Sequence, residues 1–123
     1  MTRAALQRIY RRGCQALGAT HADHSDENLH ELRKHAKFLA HAVETLAHGR
    51  NPVRGERFRL ARSIASRLGD DRDLARLHAL IAAAPVADRT VCAPMLEHLA
   101  HCRAQLQRKA LKQAHRLYRS KAG

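Results

Sequence analysis

Leu29, Leu32, Ala36, Leu39, Val43 and Leu46 recur at intervals of three, four, three, four and three residues. At about 100° per residue this gathers the apolar side chains into one stripe along a helix. A stripe of that kind has to bury itself against other helices. The spacing predicts a helix over 26–48, capped by Ser25 or Asp23. Asp26 and Glu27 lie at its positive end, and Gly49 with Asn51-Pro52 forms its stop.

The flanking segments read the same way. Leu6, Ile9, Gly13 and Leu17 predict a helix over 3–18 that ends at Gly18. Ala61, Ile64, Ala65 and Leu68 predict one over 54–68, closed by Gly69. A further helix starts at Asp70 or Asp71, turns Leu74, Leu77 and Ile81 inward and stops before Pro85. Pro94 falls near the first turn of a last helix reaching about Tyr118, with Leu96, Leu99, Leu106, Ala110, Ala114 and Leu117 on its buried side. The connections are short, so neighbours pack antiparallel. The expected fold is all-α: a four-helix bundle plus a short N-terminal or connecting helix, forming one domain over 1–123.

Charge narrows what such a bundle does. Lys and Arg number 23 against 11 Asp and Glu, a net charge of +12 with the ten histidines neutral. The cations run along the whole chain, so the folded domain carries a positive field that attracts phosphate-rich partners. Three cysteines, Cys14, Cys92 and Cys102, make no disulfide framework and are expected as reduced thiols. No apolar run approaches the ~20 residues of a membrane span. The cationic start lacks the apolar segment of a signal peptide. The expectation is a soluble cytoplasmic protein.

The cations have an order. His30, Arg33, Lys34, Lys37 and His41 fall within about a 100° arc, roughly opposite the leucine stripe. Arg59 and Arg62 lie one turn apart and away from Ile64 and Leu68. Arg108, Lys112 and Arg116 line the last helix with His101, His115 and Arg119. On the 30–41 stripe acids occur only near the ends, so intrahelical ion pairs do not neutralise it. Like charges held this close cost stability, which an anion would relieve. Aromatic residues make up 3 % and Trp is absent, so the stacking platforms of single-strand binders are scarce. A partner that is all phosphate and no base fits better. A small basic protein associated with nucleic acid is the alternative.

The run Leu29-His30-Glu31-Leu32-Arg33-Lys34-His35-Ala36-Lys37 resembles the histidine motif of CHAD domains, the conserved-histidine α-helical domains. Leu68-Gly69-Asp70-Asp71-Arg72-Asp73-Leu74 resembles that family's junction between two helices. Arg103 to Leu117 resembles its terminal basic helix, and Tyr10-Arg11-Arg12 the helix before the motif. The resemblance implies a helical bundle that binds inorganic polyphosphate in a basic cavity, often at polyphosphate granules in bacteria. Carried over by position, the phosphate ligands would be His30, Arg33, Lys34 and Lys37, with Arg59 and Arg62 as companions and Arg108, Lys112 and Arg116 following. The chain departs from the pattern at Phe38 and Ala40, where further basic residues are usual. It has one histidine motif where a full domain has two, and resembles the second half. A homodimer is therefore expected to complete the cavity, more firmly with polyphosphate bound.

No catalytic centre is expected. The paired acids sit at predicted helix starts, where capping explains them. Asp73 is the exception, placed to orient an arginine of the basic face. His98 and Cys102, one turn apart, lack further metal ligands, with Cys92 the nearest candidate. No metal and no cofactor is expected.

Overall fold

Four α-helices, with no strand among the described residues, form the computed structural model, which describes residues 2–46, 55–85 and 89–119. They are α1 (Arg3–Ala22), α2 (Asp26–Leu46), α3 (Glu56–Ala83) and α4 (Arg89–Arg119), packed antiparallel in chain order, with α4 also closing on α1. The all-α bundle is as the sequence predicts.

The starts of α1 and α2 are fixed by side-chain caps. The Thr2 hydroxyl accepts from the Ala5 amide and caps α1. Of the two candidate caps for α2, Ser25 does the work: its hydroxyl accepts from the Asn28 amide at 3.1 Å. The Asn28 amide group donates to the carbonyls of Ala19 and Asp23, tying the end of α1 to the start of α2. The predicted stop of α2 at Gly49 and Asn51-Pro52 lies outside the described residues.

Three expectations about helix ends are corrected. Gly18 does not end α1, which continues to Ala22 because Thr20 bonds the Ala16 carbonyl and packs, fully buried, beside Asn28. Gly69 does not end a helix either. The two helices predicted over 54–84 are one, because Asp71 is held by α4 and the backbone continues without a break. Pro94 lies inside α4, not in its first turn.

The core sits where the leucine stripe predicts. Leu29, Leu32, Ala36 and Leu39 of α2 pack with Leu17 of α1, Ile64 and Leu68 of α3, and Ala110, Ala114 and Leu117 of α4. Tyr10 and Tyr118 stack with ring centroids 5.5 Å apart, and the Tyr10 hydroxyl donates to the Leu117 carbonyl at 2.9 Å. Gly13 is required there: a Cβ at that position would lie 2.2 Å from the Tyr118 ring.

One buried charge cluster joins three helices. Asp71 of α3, 3 % exposed, accepts from Arg103 Nε at 2.9 Å, from Arg103 Nη2 at 3.3 Å and from Gln107 Nε2 at 3.1 Å. Arg103 Nη2 also reaches Asp26 at the start of α2, at 2.8 Å. The sequence reading of Asp71 as a helix-start residue is thereby corrected.

Candidate functional site

On the α2 wheel Arg33 lies about 40° from Leu29, at the edge of the basic arc nearest the core. That edge faces α3. Arg33 and His30 are accordingly half-buried, and both line two adjoining cavities of about 410 and 440 Å³ between α2 and α3. From α3 come Arg72 and Arg76, which line both cavities as well. The first cavity reaches Leu29 and Leu68 of the core and Asp71 and Arg103 of the buried cluster. The second is the more polar and opens along Ser66, Gly69 and Asp73.

Gly69 is the residue that makes this packing possible. A Cβ built on it would lie 3.2 Å from Arg33 Nε and 3.6 Å from Arg33 Nη2. The guanidinium thus rests on bare helix backbone. Arg33, placed by its spacing roughly opposite the leucine stripe, is thus partly packed against α3.

The donors here are under-satisfied. Arg33 Nε and His30 Nδ1 are buried and have no hydrogen-bond partner. Leaving such groups unmatched carries a desolvation cost. Burial holds the His30 imidazolium below its ordinary pKa, and the cations of Arg72, Lys34 and Arg33 add to the effect. The site therefore gathers His30, Arg33, Arg72 and Arg76 on one groove, with Asp26, Glu27 and Asp71 also on the lining of the first cavity and Asp70 and Asp73 on that of the second.

The remaining predicted residues fall into two groups. Lys34, Lys37 and His41 are exposed along α2, with Lys34 paired to Glu31 at 3.1 Å. Arg59 and Arg62 are exposed on α3. Arg62, Ser66, Gly69, Asp73 and Arg76 recur at four, three, four and three residues, so Arg62 continues the α3 face that lines the second cavity. It lies over the Phe58 ring at 5.7 Å. Antiparallel register carries α2 from Arg33 to Lys37 and His41 as α3 runs back from Gly69 toward Arg62 and Arg59.

Arg108, Lys112 and Arg116 stand apart. They are exposed on α4, Arg116 pairs with Glu56 of α3, and none lines either cavity. The structure does not bring them to His30 and Arg33.

Arg72 and Arg76 were missed as site residues. Their signal lay in the sequence: Arg76 continues the Arg62 stripe once the helix is read through Gly69, and Arg72 lies one turn before Arg76. Asp73 does approach an arginine, Arg76 at 3.8 Å, but both are exposed. His98 and Cys102 come within 3.6 Å, and no group of three metal-type ligands occurs among the described residues. All three cysteines are free thiols, and no described helix is long and apolar enough to cross a membrane.

The family profile of the CHAD domain matches residues 1–82, about two thirds of the chain, which takes in α1, α2 and nearly all of α3. No curated protein and no solved structure matches the chain.

Proposed function

The chain belongs to the CHAD domain family, and on that footing we propose that its α2–α3 groove binds inorganic polyphosphate as a non-catalytic module. The observation that carries this reading is the buried, unpartnered Nε of Arg33, which lies against Gly69 and lines both cavities together with Arg72. A guanidinium presents donors in a planar fork that matches phosphate oxygens. His30, Arg33, Arg72 and Arg76 form the centre. Lys34, Lys37, Arg59 and Arg62 lengthen the groove along both helices, which suits a linear polyanion more than a single phosphate. Arg108, Lys112 and Arg116 add long-range attraction from α4. Under this reading the chain accumulates where polyphosphate does, on granules.

A titration with long-chain polyphosphate at two salt concentrations, with duplex DNA as competitor, tests this. Neutralising phosphates releases counterions, so affinity should fall steeply with salt, as it does for DNA ligands with a slope of about −0.9 per contact. Duplex DNA should displace polyphosphate poorly, because the cavities admit a bare phosphate chain and not a helix of DNA. Affinity that ignores salt, or DNA that competes on equal terms, would overturn the proposal.

Binding should also take up a proton. Polyphosphate would neutralise Arg72, Lys34 and Arg33, the cations that help depress the His30 pKa, so the pKa rises on binding. Affinity then increases as pH falls from 7 toward the depressed value of the free protein. The free fold responds oppositely: the unfolded histidine, titrating near 6.5, binds more protons than the native one, so stability declines as pH drops below that point. Calorimetry in two buffers of different ionisation enthalpy reads the uptake. His30→Gln should abolish most of it; an unchanged uptake would place the proton elsewhere.

A further inference from the structure

The helices of the bundle are unequal. α1 and α2 have 20 and 21 residues, α3 and α4 have 28 and 31. Beyond Asp71 no described side chain of α3 is buried, and on α4 only Cys92 is buried before Ala110. The hairpin formed by the end of α3 and the start of α4 therefore extends past the shared core. It is not a polar extension. Leu77, Leu80, Val91 and Met95 are 43, 70, 54 and 46 % exposed. Leu77 and Leu80 neighbour each other on α3, and Val91 and Met95 are one turn apart on α4.

Its charge is equally distinct. Between 72 and 102 the acids Asp73, Asp88 and Glu97 balance Arg72, Arg76 and Arg89, so the entire +12 of the chain lies outside this segment. The net repulsion between two copies therefore arises from the rest of the chain and not from this segment. We infer that this hairpin is a self-association surface, on which a second copy of the chain docks its own hairpin around a two-fold axis. The two hairpins together make the four-helix arrangement that neither can make alone.

The size is sufficient for a weak dimer. Twelve residues of α3, Arg72 to Ala83, span about 18 Å, and half the lateral surface of two such helices is about 600 Å² per copy. Doubled, that reaches the lower edge of specific interfaces, about 1,200 Å². The contact differs from the one a half-domain resemblance implies, which would join two basic walls. It uses the Leu77 and Leu80 side of α3, and neither residue lines the α2–α3 cavities.

Sedimentation equilibrium of the full chain without polyanion tests this from micromolar to near-millimolar concentration. The mass should rise from 13.8 kDa toward twice that value. Leu80→Arg and Met95→Lys, both at exposed positions, should each weaken the dimer by about tenfold or more with helical content unchanged. Added salt should leave the dimer intact or favour it, since it screens the repulsion between the basic parts. A monomer throughout the range, a dimer that both variants retain, or a dimer that salt disperses would each overturn the inference. The last would indicate copies bridged by a polyanion.

Discussion

Asp71→Ala is expected to destabilise the fold by about 3 kcal/mol, toward the low end of what the loss of one partner costs a buried ion pair. The carboxylate is nearly inaccessible and accepts three hydrogen bonds from α4. Its removal strands Arg103, whose side chain is only 20 % exposed. The loss is not larger because Arg103 keeps Asp26, an exposed partner. For a chain of this size the melting temperature should fall by roughly 10 °C. Asp26→Ala is the control, since exposed pairs contribute about 1 kcal/mol or less. Equal melting shifts for the two variants would show that Asp71 holds no special place.

Arg33→Ala should weaken polyphosphate binding by about 10- to 100-fold, the loss of charge-assisted hydrogen bonds worth about 1.5–3 kcal/mol, while helical content stays intact. Arg33→Lys should recover little, because an ammonium cannot present the planar fork. Gly69→Ala separates binding from folding. An alanine in a helix interior is favoured over glycine by up to about 1 kcal/mol, so the melting point should hold or rise. Yet the new methyl would lie 3.2 Å from Arg33 Nε, so the guanidinium must shift by a few tenths of an ångström. Affinity should drop although no charged group has been removed. A Gly69→Ala protein that binds like the parent would show that the seat of Arg33 is irrelevant to the ligand.

Much of the architecture is legible in apolar spacing. The stripe from Leu29 to Leu39 lies in the core as its periodicity predicts, because a three–four repeat has only one way to be buried. The helix ends were less legible. Glycine after a leucine reads as a stop at both Gly18 and Gly69, but a stop signal competes with whatever holds the next turn in place. At Gly18 that is Thr20 against Asn28, and at Gly69 it is Asp71 against Arg103 and Gln107. Those partners are remote in sequence, and no local pattern announces them.

The site divides along the same line. His30 and Arg33 could be named from the motif they resemble, but the depth of Arg33 depends on which residue of α3 lies opposite. Arg72 and Arg76 were hidden by the mistaken break at Gly69: with a turn there they belong to a different helix from Arg62, and without it Arg76 shares its face and Arg72 adjoins Arg76 one turn away. The α4 cations are real but lie on a separate surface, since α4 turns Gln107 and Gln113 toward α3.

The tyrosine contact between the first and last helices has a kinetic meaning. The bond from Tyr10 to Leu117 spans 107 residues of sequence, whereas the hairpins α1–α2 and α3–α4 are closed by local contacts. Local hairpins form early, and a seam whose sides are separated by the whole chain can close only after the intervening helices are in place. The α1–α4 seam is thus expected to be the last part of the bundle to form. Hydrogen exchange at its amides would report partial openings that leave α2 and α3 joined, with the groove between them still assembled while the outer helix exchanges.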